Sequence, residues 1–189
     1  MVITILNGDL KQGDSEFSSY IGTLTEKLQE KHTVNCYHLS KMDIKSCVGC
    51  WNCWWKTPGK CTINDDAGQI LASVINSDFI IFASPIMAGF TSSLLKRIHD
   101  RFVGLVHPYI LIKEGECHHK MRYDKYPDFG ILLSKEADTD DEDLQIIDDV
   151  YDRFALNFHC EKRYTKIITE TKIEEIIDET CNNKRIAKK

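Results

Sequence analysis

The chain has 189 residues, 42% of them hydrophobic and 28% charged, with a formal net charge of −5. That is enough apolar content for a packed core in one domain, and it excludes a disordered chain. The negative balance argues against nucleic acid as a general partner, because phosphate binding needs a basic face.

Val2 to Asn7 is an apolar run ending in Asn-Gly, the pattern of a buried strand, and Phe17, Ile21, Leu24 and Leu28 then give a helix over Ser15 to Lys31. Thr33 to Leu39 and Ser77 to Ala83 read as further strands, both expected to be buried on two faces. Between them Ala67 to Ile75 is a short helix, and Leu94, Leu95, Ile98 and Phe102 form the stripe of the next, after a proline turn at Pro85 to Gly89. Phe129 to Leu133, Asp140 to Phe158, Tyr164 to Thr169 and Lys172 to Thr180 continue as strand, helix, strand and helix. No apolar stretch approaches the roughly 20 residues of a membrane span. The N-terminal Met1-Val2-Ile3-Thr4-Ile5-Leu6 lacks the basic region and cleavage site of a signal peptide, so a cytoplasmic protein with no membrane partner is expected.

Strands alternating with helices require crossover connections and hence a parallel sheet. The expectation is an α/β fold, a flavodoxin-like doubly wound five-stranded sheet of order 2-1-3-4-5, in one domain over 1–189. A cysteine-rich loop at 47–61 is inserted after strand 2, and 104–128, with Pro108 and Pro127, reads as an irregular excursion. In such sheets ligands bind beyond the carboxyl ends of the strands where the order reverses, here the loops Gly8 to Ser15 and Ser84 to Thr91.

The first loop, Gly8-Asp9-Leu10-Lys11-Gln12-Gly13-Asp14-Ser15, opens a helix, whose free N–H groups can cradle a phosphate while Lys11 and Ser15 add side-chain donors. A plain glycine turn reads equally well there. The second loop has a rigid proline and a glycine with apolar neighbours, which suits a flat ring lying on backbone, although a loop ending in a Thr91 helix cap is the plainer reading.

Four of the eight cysteines, Cys47, Cys50, Cys53 and Cys61, fall within fifteen residues. In a reducing compartment such clustering means metal ligation or thiol chemistry rather than a disulfide scaffold. Two-residue gaps let three sulfurs converge, and Pro58-Gly59 can return the fourth; four soft ligands without histidine suit a [4Fe–4S] cluster. Zinc more often takes two separated pairs. Packed thiols and a Cys-x-x-Cys switch stay open.

Together the first loop, the string ending in Cys61-Thr62-Ile63-Asn64-Asp65-Asp66, and Ser84-Pro85-Ile86-Met87-Ala88-Gly89 followed by Leu94-Leu95-Lys96-Arg97-Ile98-His99-Asp100-Arg101 resemble the NADPH-dependent FMN reductase superfamily. The iron–sulfur flavoproteins are the branch it resembles most. The resemblance covers roughly residues 1–105 by motif. It implies non-covalent FMN, with Gly8, Lys11, Gln12, Gly13 and Ser15 at the phosphate and Pro85, Ile86, Met87, Ala88, Gly89 and Phe90 bordering the isoalloxazine. It also implies a cluster on Cys47, Cys50, Cys53 and Cys61, an NAD(P)H or ferredoxin donor, and a homodimer or homotetramer. No catalytic side chain is implied, since the flavin carries the reactivity.

The sequence departs from the family at two places. Asp9-Leu10-Lys11 stands where the family has Ser-Pro-Arg, and the third loop, Ser134 to Thr139, is acidic and glycine-free. Rival readings are an FMN reductase or thiol oxidoreductase without a cluster, and a non-enzymatic module such as a receiver-like domain, which would want an aspartate where Ser84 stands. His107, His118, His119 and His159 show no metal-ligand spacing. His118, Lys120, Arg122 and Lys125 are expected to meet an anionic partner such as a nicotinamide phosphate.

Overall fold

The computed structural model describes residues 1–11 and 15–182. β1 (Val2–Asn7) leads through α1 (Glu16–Gln29), β2 (Thr33–His38), α2 (Asn52–Trp55) and α3 (Ala67–Ile75) to β3 (Phe79–Met87), β4 (Phe90–Thr91) and α4 (Ser93–Arg101). β5 (Val106–Lys113), β6 (Glu116–Met121), β7 (Asp128–Ser134), α5 (Asp141–Phe158), β8 (Lys162–Ile167) and α6 (Ile173–Cys181) follow.

Five strands run parallel in the order β2-β1-β3-β7-β8, the flavodoxin-like order that the alternation of elements predicts. Residues alternate across each strand, so the two faces gather different helices. Ile3, Ile5, Phe79, Ile81 and Leu132 meet α1 and α6, whereas Leu6, Ile80, Phe82, Phe129 and Ile131 meet α3, α4 and α5. Gly130 in β7 leaves room for the neighbouring strand's Tyr164, because a Cβ there would stand 2.1 Å from the ring.

Three expectations need correction. β2 is not buried on two faces: it is the sheet edge, and its residues are exposed or half-buried throughout. The stretch 104–128 is not irregular. It contains the antiparallel β5–β6 hairpin, closed by Glu114 and Gly115 with φ of +53° and +81°, the positive pair that a tight two-residue hairpin turn requires. Nor does Pro85 make a turn. It lies inside β3, in register with Ser134 of β7, and the chain reverses three residues later at Ala88 and Gly89, with φ of +49° and +72°.

Candidate functional site

Two regions bear chemistry, and α4 joins them. The first is the crevice at the carboxyl ends of β1 and β3, where the strand order reverses. Its two loops are tied together at their base. The Gly8 N–H donates to the Ala83 carbonyl (2.8 Å), the Ser92 hydroxyl donates to the Gly8 carbonyl (2.6 Å), and the Ser92 N–H donates to Ser84 Oγ (2.8 Å). Ser92 is also the N-cap of α4. A Cβ on Gly8 would stand 2.6 Å from Ser92 Oγ, so the tie demands a glycine.

Above this tie the described residues on both sides of the first loop bond to Asp9, which is buried. Asp9 Oδ1 accepts the Lys11 N–H (2.9 Å), while Oδ2 accepts the hydroxyls of Ser15 (3.0 Å) and Ser18 (2.9 Å). Ser15 Oγ in turn accepts the Ser18 N–H as the cap of α1. Gln12 and Gly13, also expected at the phosphate, lie outside the described residues.

On the opposite wall, Met87 and Ala88 are exposed and Gly89 and Phe90 half-buried, so these four can border a ligand. Ile86 cannot offer its side chain: it is buried in the core. The first turn of α5 reaches this wall, since a Cβ on Gly89 would run into the Asp143 carboxylate. Asp143 and Asp140 form a reciprocal capping box at the start of α5.

The second region is the cysteine loop. Gly49 and Trp51, both left-handed (φ of +63° and +60°), turn the chain so that Cys47, Cys50, Cys53 and Cys61 line one small cavity with Trp51, Val103 and Gly104. Trp54 anchors it by donating Nε1–H to the Val103 carbonyl (2.8 Å) and stacking on Trp51. Burial first, then the neighbouring sulfurs of Cys61, Cys47 and Cys50, push the Cys53 thiol above its ordinary value. Among the described residues no three His, Cys, Asp or Glu side chains stand close enough to hold a single metal ion.

Arg101, at the end of α4, also lines this cavity. Its guanidinium takes both oxygens of Asp65 (2.8 and 3.1 Å) and the Lys45 carbonyl (2.7 Å), with the two charged side chains 1% and 0% exposed. Burial pushes the Asp65 carboxyl up. The bonds from Arg101 and from the Lys45 and Ala67 N–H groups outweigh burial and hold it below the usual carboxylate range.

An open cavity of about 820 Å³ runs from Cys61 past Leu71 and Ile75 to Tyr123. It lies away from the crevice, and its Lys60, Asp65, Asp124 and Lys125 carry mixed charge with no common focus.

The sequence profile of the NADPH-dependent FMN reductase family matches residues 1–120, which include both regions. The chain belongs to this family. Among its relatives, an iron–sulfur flavoprotein of Clostridioides difficile is 31% identical over 104 residues, 53% of this chain and 45% of that one. An iron–sulfur flavoprotein of Methanocaldococcus jannaschii is 40% identical over 63 residues, 33% of this chain and 32% of that one. Each match therefore spans less than half of the relative. An FMN-dependent NADH-azoreductase from Bacillus anthracis, solved with FMN, has a TM-score of 0.58 at 14% identity over 95% of this chain and 94% of that one. At that identity the likeness is one of fold.

The family's flavin fits these residues in one half only. The wall from Met87 to Phe90 is open to a ring, but of the donors expected for the phosphate the Ser15 hydroxyl is already bonded to Asp9, as is the backbone N–H of Lys11. The four cysteines share one cavity, as a cluster requires. The described side chains are not drawn together around a metal ion, so holding a zinc ion or a cluster would require them to close in.

Motif reading missed Asp65, Arg101 and Ser92 as site residues. Asp65 and Arg101 stood inside quoted motifs, yet 36 residues separate them and only the fold pairs them. The basic stretch does not gather as a free anion site. His118 is buried beside Glu116, Arg122 donates to the Val106 carbonyl, and Lys125 pairs with Asp78. His119 packs on Trp54, and His159 bonds the His119 carbonyl and ends α5.

Proposed function

We propose that the chain is a flavin-dependent NAD(P)H oxidoreductase that takes FMN at the crevice and holds a [4Fe–4S] cluster on Cys47, Cys50, Cys53 and Cys61. The observation that carries the reading is the tied pair of loops at the switch point of the sheet, inside the span matched by the family. A bound flavin would supply two-electron acceptance and one-electron release. The protein's part is position and shielding. The Gly8–Ser92–Ser84 tie fixes the crevice floor, and the backbone of Met87 to Gly89 offers an edge for the ring. Asp143 closes the side of that edge. Cys47, Cys50, Cys53 and Cys61 would hold the cluster, and the names of the two iron–sulfur relatives support that donor set.

A second reading, a reductase whose cysteines stay free thiols, is favoured by the described side chains, among which no group is placed to hold a metal ion. One experiment separates the two. The purified chain is incubated anaerobically with FMN, iron and sulfide, desalted, and examined by absorption spectroscopy and NADPH oxidation. The expected result is a flavin double band with a broad shoulder that disappears in Cys50→Ser. A flavin band without the shoulder supports the free-thiol reductase, and a colourless protein inert to NADPH overturns both readings.

A further inference from the structure

The first loop contains an anion of its own. The start of α1 offers what a phosphate would use, a positive dipole end and hydroxyl and N–H donors. Asp9 sits in that place, 6% exposed. Its two carboxylate oxygens take the Lys11 N–H, the Ser15 hydroxyl and the Ser18 hydroxyl, all within 3.0 Å. Each of the two hydroxyls has one proton, and both are committed. Ser15 Oγ is further engaged as acceptor by the Ser18 N–H. The backbone of Asp9 is fixed as well, its N–H donating to Asn7 Oδ1 at 2.9 Å.

A phosphate entering this seat would have to displace the carboxylate from three bonds and then lie beside its charge. Among the described residues, the donors of this seat are therefore satisfied without a phosphate. We propose that Asp9 is a specificity-determining residue that makes this crevice select its flavin by the ring and ribityl chain rather than by the 5′-phosphate, so that riboflavin binds about as well as FMN. The inference rests on the flavin reading above and deepens it. Charge decides the matter because the repulsion between carboxylate and phosphate acts in a partly buried site, where screening by water and salt is weak.

The test is a titration of the purified chain with riboflavin and with FMN, followed by quenching of flavin fluorescence, for the wild type, Asp9→Ser and Asp9→Asn. Asp9→Asn keeps the shape and an acceptor oxygen while removing the charge, so it reports even if Asp9→Ser disturbs the loop; thermal melts of each variant check folding. In the wild type the two dissociation constants should lie within about threefold. Either variant should tighten FMN by about tenfold or more while leaving riboflavin nearly unchanged, the scale of one like-charge contact removed from a site shielded from water. A wild type that prefers FMN by about a hundredfold, which is about 2.7 kcal/mol, overturns the proposal and leaves the flavin reading intact. So does an FMN-to-riboflavin ratio unmoved by both folded variants. Failure of both flavins to bind the wild type and both variants overturns the flavin reading along with it.

Discussion

The crevice and the cysteine cavity lie at opposite ends of α4, a nine-residue helix about 13.5 Å long, and they are built on opposite principles. At the crevice end polar groups are closed on one another: Asp9 with Ser15 and Ser18, Ser92 with Gly8 and Ser84, Asp140 with Asp143. At the other end four cysteines line one cavity, and among the described residues the Arg101 Nε there has no hydrogen-bond partner. Satisfied donors select against a ligand that must compete for them, whereas unligated thiols gain from any soft cation that draws them together. On the readings proposed above, the charge of the ligand matters at one end and the softness of the ligand at the other.

The hardest way to break this contrast is at the wall of the cavity. Asp65→Ala leaves Arg101 as a buried charge without its carboxylate, and about 3–5 kcal/mol of stability should be lost in urea titrations, against little change in how the crevice binds flavin. The same pair should make the wild type acid-sensitive. A carboxyl held below its ordinary value contributes stability that is complete above the unfolded value and is lost as pH falls through the lower folded one.

At the crevice end, Gly8→Ala pushes a methyl toward Ser92 Oγ. It should cost about 1–3 kcal/mol and weaken flavin binding, while leaving any cysteine-bound chromophore in place; an absorption spectrum beside a thermal melt reads both. Equal loss at both ends would show that α4 transmits the strain and that the two regions are one unit.

An effect confined to low pH concerns His99, near the C-terminal end of the joining helix and packed among Phe82, Phe102, Tyr151 and Phe154. Burial, aided by the Lys96 charge, pulls its value down to about 3 from 6.5, so the folded protein keeps it neutral. Unfolding frees it to take a proton, and stability falls as pH drops from 6.5 toward about 3. His99→Phe should flatten that part of the pH–Tm profile without shifting the Tm measured at pH well above 6.5 by more than a few degrees.

Much of the fold was legible because its signals are local. The apolar runs of β1 and β3 and the spacing of Phe17, Ile21, Leu24 and Leu28 need no distant partner to be read. The hairpin was not. Its turn uses Glu114-Gly115 rather than a familiar Asn-Gly, and β5 leaves Tyr109, Ile110 and Ile112 exposed, so it lacks the alternation that marks a strand with one buried face. Pro85 misled for a similar reason. A proline usually ends a strand, yet this one sits near the end of β3, in register with the last residue of β7.

By itself the sequence determined the parallel α/β sheet, its strand order, and the presence of a cysteine loop and two switch-point loops, because hydrophobic period and element alternation permit few other arrangements. Only the tertiary structure decided what those loops do to one another. The pairing of Asp65 with Arg101, the tie from Gly8 to Ser92 across 84 residues, and the turn of Asp9 back onto Ser15 and Ser18 are hydrogen bonds between groups whose approach no local pattern encodes. Such bonds depend on where two loops end in space, and that is set by the packing of the whole sheet.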